Sequence, residues 1–261
     1  MKILFLGDVV GKPGRRMLTR ALPRLIDREQ LDLVIANCEN IAGGAGVDAK
    51  SARQLLDAGV DILTSGNHIW RHAEIGEFLA HEPRVLRPAN FPPMVPGRGW
   101  TVVETAGGTA VAVVNLLGRV FLNSVDCPFR MAESLLPELH ACAPVVIVDI
   151  HAEATSEKSA MGWFLDGKVS GVFGTHTHIQ TADECILPGG TAYITDVGMC
   201  GPIASVIGVR PELAIRKFLT QMPVRFEVAG GPVALHGVCV DIDPHSGRAK
   251  SIRRILETSD S

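Results

Sequence analysis

No apolar run in this 261-residue chain approaches the roughly 18 residues needed to cross a bilayer as a helix, so no membrane partner is expected. No Pro/Gly/Ser-rich linker, charge run, low-complexity block or repeat divides the sequence, and one domain spanning residues 1–261 with a full core is expected. The six cysteines (38, 127, 142, 185, 200 and 239) contain no C-x-x-C pair, which removes zinc-finger and thioredoxin readings. Reduced thiols and a cytoplasmic location are the expectation, with Cys38 and Cys200 packed in the core rather than reactive. Formal net charge is only −3 and no basic stripe stands out, so a long nucleic acid is not expected as partner. The mean hydropathy of +0.22 is compatible with a homo-oligomer.

The first half alternates strand and helix. Residues 3–6 form an apolar run too short for a leader, with no small-residue cleavage site after it, and are read as the first buried strand. Leu18, Leu22, Leu25 and Ile26 share one helical face. Residues 32–37 read as a second strand, Asp48 as the cap of a helix carrying Leu55 and Leu56, and Val60–Leu63 as a third strand. Residues 71–80 read as helix and 83–99 as loop. Runs at 100–105 and 109–116 across Gly107-Gly108 read as a hairpin, and 117–130 as irregular. A helix near 131–141, strand 144–150, helix 156–165 and strand 169–174 follow. The last part adds a strand at 192–195, a helix at 211–221 and strands at 232–242 and 248–255. The mixture predicts an α/β fold, a four-layer α/β/β/α sandwich of two mixed sheets flanked by helices; the first half alone also suits a doubly wound sheet.

Polar residues of metal-binding type stand just past five of these strands: Asp8, Glu39-Asn40, Asn67-His68, His151 and His176-Thr177-His178. Ligand sites in open α/β sheets form at such strand ends. Two divalent ions a few ångströms apart need a shared carboxylate, and Asp8 and Glu39 are the candidates. His176 and His178, two apart, would face opposite ways on a strand, so a turn supplied by Gly174 is expected. Singly, Asp8 reads equally as a helix cap, Glu39-Asn40 and Asn67-His68 as turns, and His151 as structural. Together they read as a two-metal hydrolase. The residual positive charge of such a centre suits phosphate esters and a bridging hydroxide nucleophile.

The blocks Gly7-Asp8, Gly66-Asn67-His68, His151 and Gly174-Thr175-His176-Thr177-His178 resemble those of the calcineurin-like metallophosphoesterases. Val10 stands where that superfamily has a histidine, and Asn37-Cys38-Glu39-Asn40 puts Glu in place of the bridging Asp. Both departures, with GDVVGKPGR, NCENIAGGAG, LTSGNHIW and GTHTHIQTAD, resemble the bacterial YmdB-type phosphodiesterases acting on cyclic nucleotides such as 2′,3′-cyclic AMP. The resemblance implies one metal on Asp8, Glu39, Asn40 and His178 and another on Glu39, Asn67, His151 and His176. Glu39 would bridge and His68 would donate a proton to the leaving alkoxide. It implies iron or manganese, with zinc or magnesium as alternatives, and a small cyclic nucleotide or other phosphodiester as substrate. Arg71, Asn115, Arg119 and Arg130 are candidates to contact phosphate or ribose, and the Gly43–Gly46 loop reads equally as a path for backbone to approach the substrate and as plain turn flexibility. The alternatives are a phosphomonoesterase on the same fold and a metal-binding regulatory protein with little turnover.

Overall fold

The structure, a computed structural model, describes residues 1–259. In chain order the strands are β1 (Lys2–Leu6), β2 (Asp8–Val9), β3 (Leu33–Asn37), β4 (Ile62–Thr64), β5 (Trp100–Glu104), β6 (Ala110–Leu117), β7 (Val145–His151), β8 (Gly171–Thr175), β9 (Cys185–Ile186), β10 (Ala192–Ile194), β11 (Met199–Pro202), β12 (Val233–Ile242) and β13 (Ala249–Ser259). The helices are α1 (Gly11–Glu29), α2 (Ala49–Asp57), α3 (Ile75–His81), α4 (Pro128–Cys142), α5 (Thr155–Leu165) and α6 (Pro211–Thr220). One sheet runs β2-β11-β12-β1-β3-β4 with β13 on β12, and the other β5-β6-β7-β8-β10-β9. Strands β1, β3 and β4 are mutually parallel, as are β6, β7, β8 and β10.

The period-two alternation of side chains along a strand sorts the core into three slabs. Ile3, Phe5, Leu33 and Ile35 of the first sheet meet Val111, Val113, Val145, Ile147 and Phe173 of the second. The Phe5 and Phe173 rings lie 5.2 Å apart between the sheets. On the first sheet's other face, Leu4, Leu6, Val34 and Ala36 pack against Leu18, Leu22 and Leu25 of α1 and Leu55 of α2. Val146, Val148 and Ile150 of β7 likewise pack with Leu139 of α4 and Met161 and Leu165 of α5. Each buried Leu, Ile or Phe contributes about 1.5–3 kcal/mol. The result is the expected order helix, sheet, sheet, helix.

Asp48 caps α2 as expected, accepting from the Ser51 N–H. Asp8 does not cap α1, whose N-cap is Val10 with no side-chain bond. Helix α4 starts at Pro128 rather than 131, because proline in a first turn sacrifices no backbone donor that the helix would use. Strands β2, β9 and β11 are too short for an alternating pattern to reveal them.

Gly174 does not make the turn that the His-x-His pair requires. It sits inside β8, and an added Cβ would stand 1.7 Å from the Thr195 carbonyl oxygen. Its role is to let two backbones touch. The reversal falls on His176 (φ 97°) and His178 (φ 65°), both in the left-handed region that costs a non-glycine residue about 1–2 kcal/mol. Gly174→Ala is expected to destabilise the fold by about 3 kcal/mol through overpacking, read as a lower urea midpoint at an unchanged slope.

Candidate metal centre

Every sequence-selected ligand candidate lies at the carboxyl end of a parallel strand: Asp8 beyond β1, Glu39-Asn40 beyond β3, Asn67-His68 beyond β4, His151 at the end of β7, and His176-Thr177-His178 beyond β8. Asp8, Glu39, Asn40, His151 and His178 are buried. The His68 side chain, 38 % exposed, is open to a molecule arriving from solvent. Gly66 makes room for the cluster, since a Cβ there would lie 2.2 Å from the His151 ring and 2.3 Å from Glu39 Oε2.

Three of the histidines are tied from behind in a way that fixes which nitrogen faces inward. Thr175 Oγ1 donates to Asp149 Oδ1 (2.7 Å) and therefore accepts from His151 Nδ1–H (2.8 Å), leaving Nε2 turned toward the centre. His176 Nε2 faces Glu153 Oε2 at 3.0 Å, so that Nδ1 is the bare nitrogen, 3.0 Å from His151 Nε2. His178 Nδ1–H donates to the Ile207 carbonyl (2.8 Å), and its Nε2 points at Asp8 Oδ1, 3.6 Å away. In their neutral forms these rings aim lone pairs into one space.

Glu39 lies between two groups of donors. Its Oε2 is 3.1 Å from His151 Nε2, which also meets Asn67 Oδ1 at 3.2 Å. Its Oε1 is 3.1 Å from His68 Nδ1 and 3.3 Å from Asn40 Nδ2. Asn40 directs Nδ2 to His178 Nε2 (3.1 Å) and Oδ1 to His68 Nδ1 (3.2 Å). Asp8 Oδ2 accepts from the His176 N–H (3.0 Å), while its buried Oδ1 has no hydrogen-bond partner among the described residues. Facing lone pairs and an orphaned carboxylate oxygen are what cations reconcile, and the donors of Glu39, His151 and His176 lie within 4.8 Å of one another. The residues therefore fit divalent ions.

Without metal, protons take part of that task. Burial pulls the His178 imidazole down, but the Asp8 charge outweighs it and holds its pKa at about 9. Asp8 is pushed up by burial yet ends below the usual carboxylate range because of His178. Glu39 behaves likewise, with His151 and His68 outweighing burial. Burial and the neighbouring His151 charge drop His176 to about 4. Burial lifts Asp149 to about 6.

Several residues of this framework escaped the sequence reading. Asn37 donates to Asp149 Oδ2 (2.9 Å) and accepts from the Glu39 N–H (3.0 Å), locking one ligand-bearing turn to the strand that carries His151. Asp149 had a visible signal, an acid inside the apolar run VVIVDIH. Lys158 had none. It is buried in α5 and pairs with Asp196 at 2.6 Å, and Asp196 Oδ2 accepts from both Thr177 Oγ1 (2.7 Å) and Thr177 N–H (3.1 Å). Thr177 is thus the strap that holds the strained His-x-His turn. Of the other candidates, Asn115 is consumed by the Ser65 backbone, as acceptor and donor at 3.0 Å each. Arg119 reaches Cys127 Sγ, and Arg71 and Arg130 are exposed. Gly43, Gly44 and Gly46 all take positive φ, and a Cβ on Gly46 would meet Arg71 Cβ at 2.6 Å, so this loop needs glycine for its own path. Cys38 and Cys200 are buried, and burial pushes both thiols up, Cys200 to about 12, which leaves them unreactive.

Known proteins resemble this chain in sequence and in fold. The profile of the YmdB-like protein family matches residues 4–255. A 2′,3′-cyclic-nucleotide 2′-phosphodiesterase of Bacillus subtilis is 49% identical over 260 residues, 100% of this chain and 98% of that protein. The crystal structure of a novel phosphatase from Mycoplasma pneumoniae superposes with a TM-score of 0.93 at 37% identity, covering 100% of this chain and 94% of that one. The calcineurin-like phosphoesterase YfkN of Bacillus subtilis superposes at a TM-score of 0.56 and 10% identity, over 99% and 90% of the two chains, a likeness of fold.

The protonated His178 has a stability consequence in metal-stripped protein. Its folded pKa of about 9 lies above the unfolded value of 6.5, so its contribution is complete below pH 6.5 and is lost as pH rises through 9. His151, lowered by burial but raised more by Glu39, acts in the same direction. A loss on the order of 3 kcal/mol is expected across that window. Thermal melts of chelator-treated protein from pH 6.5 to 9.5 measure it, and His178→Ala is expected to flatten most of the slope.

Proposed function

This chain belongs to the YmdB-like protein family, and from that premise we propose that it hydrolyses 2′,3′-cyclic nucleotides at a dinuclear metal centre. The observation that carries the reading is the buried Glu39 carboxylate, met by His151 at Oε2 and by Asn40 at Oε1, with the donors of Glu39, His151 and His176 within 4.8 Å of one another. Asp8, Glu39, Asn40 and His178 would hold one cation and Glu39, Asn67, His151 and His176 the other. Iron or manganese is proposed, with zinc and magnesium as alternatives. Such cations would supply Lewis acidity toward phosphoryl oxygens and lower the pKa of a water toward 7.

The chain's own residues do the rest. Glu39 and Asp8 keep the centre short of neutral, so that an anionic phosphodiester is attracted to it. His68 is the proton donor. When doubly protonated, its Nδ1–H is held by Glu39 Oε1 (3.1 Å) and Asn40 Oδ1 (3.2 Å), and its Nε2–H is left for the substrate. A water that has given one proton to solvent adds at phosphorus as hydroxide, one ribose oxygen–phosphorus bond breaks, and the His68 proton goes to the departing ribose oxygen, His68 being reprotonated from solvent. Following the name of the Bacillus relative, the bond to O2′ is the one proposed to break, leaving a 3′-phosphate. The substrate and metals are taken to meet in the cytoplasm, where thiols such as Cys38 remain reduced.

Stripped protein reconstituted with Mn²⁺ or anaerobic Fe²⁺ is expected to turn over 2′,3′-cyclic AMP. His68→Ala is expected to keep two metals per chain by elemental analysis and lose about 10²–10⁴-fold in kcat. No turnover by a fully loaded wild-type protein would remove this substrate class; full activity in the variant would remove His68 as donor.

A further inference from the structure

Helix α1 carries Lys12, Arg15, Arg16, Arg20, Arg24 and Arg28 against only Asp27 and Glu29. The sequence reading finds no basic stripe, because these cations are diluted by the apolar residues of the buried face. Folding separates the two. Lys12, Arg16, Arg20 and Arg24 recur every fourth residue and are exposed, and none has an ion-pair or hydrogen-bond partner among the described residues. The first three line one cavity of about 430 Å³ together with Gly230 and Gly231. A Cβ on either glycine would meet nothing within 4 Å, so the backbone there is open to a ligand. At 1.5 Å per residue, Lys12 to Arg20 spans about 12 Å along the helix.

This ridge begins at the metal centre. Gly11, next to Lys12, donates its N–H to the Asn40 carbonyl (2.9 Å). One loop adjoins both the cavity and the segments beside the centre. Val228 would lie 3.0 Å from a Cβ on Gly11 and 2.6 Å from one on Gly44, and two residues later the same loop lines the cavity. A mononucleotide with a single phosphate, bound at the centre, leaves the ridge unused. A ligand that bears a ribose cyclic phosphate at one end and further phosphates in a row is an oligoribonucleotide.

We propose that the substrates include short single-stranded RNA ending in a 2′,3′-cyclic phosphate, with the phosphates preceding that end held by Lys12, Arg16 and Arg20. The contacts are to backbone charge, so recognition is independent of base sequence. The reaction is the one already described: water adds at the terminal phosphorus, one ribose oxygen leaves with a proton, and the internal phosphodiesters are untouched. This proposal rests on the cyclic-phosphodiesterase reading for its chemistry but not for its binding.

The test compares kcat/KM for 2′,3′-cyclic AMP and for a short oligoribonucleotide with a cyclic-phosphate end, in wild type and in Arg16→Glu/Arg20→Glu. The oligomer is expected to have a KM at least about tenfold lower, losing about 20-fold in affinity between about 50 and 200 mM salt for three contacts. The double variant is expected to abolish that advantage and leave cyclic AMP turnover within about twofold. Equal kcat/KM for the two substrates, or equal losses in the variant, would overturn the proposal. So would a variant that loses binding to phosphatidylglycerol vesicles while handling the oligomer normally, since the ridge would then be a lipid surface. Fluorescence anisotropy with the same oligomer ending in a 3′-hydroxyl separates the two readings. Ridge-dependent binding without cyclic AMP turnover sinks the activity but retains the ridge; turnover without such binding does the reverse.

Discussion

The centre depends on one constraint: each inward-facing imidazole has its outward nitrogen committed elsewhere. Thr175, Glu153 and the Ile207 carbonyl take the second nitrogens of His151, His176 and His178. A histidine with a free choice of tautomer would turn an N–H inward, satisfy Asp8 or Glu39, and collapse the site into a neutral hydrogen-bonded cluster. With that choice removed, lone pairs face one another at 3.0 Å and Asp8 Oδ1 stays orphaned. The arrangement is costly until positive charge enters, by protons or by metal, and that cost makes the site selective for cations.

The rest of the architecture keeps this arrangement from relaxing. The two sheets bring the carboxyl ends of β1, β3 and β4 beside those of β7 and β8, and the Phe5–Phe173 contact between them holds that relation. The His-x-His turn takes two left-handed residues because Gly174 is already used for close backbone contact and Thr177 is fastened to Asp196. The Lys158–Asp196 pair is fully buried, so losing either partner would leave an uncompensated charge in the core. Strain at the site is thus supported by a polar anchor one layer behind it.

The elements carrying the ligands were legible because each is an apolar run ending in a chemically unusual residue, and both kinds of signal are local. The supporting residues were mostly not. Lys158 reads as an ordinary helix lysine, Thr177 as a spacer and Asn37 as the end of a strand. Their roles come from partners far away in sequence, 38 residues for Lys158 and Asp196 and 112 for Asn37 and Asp149. The basic ridge of α1 was hidden for a related reason: four-residue spacing becomes a line only once the helix turns its apolar face inward.

The sequence by itself determined the layer order, the strand ends and the identity of the residues gathered there, because apolar periodicity and ligand chemistry are properties of short segments. Only the tertiary structure decided which nitrogen each histidine turns inward, which glycines serve contact rather than turning, and which side chains stand behind the site. Those depend on distances between strands that the chain joins through long connections, and a one-dimensional pattern does not contain them.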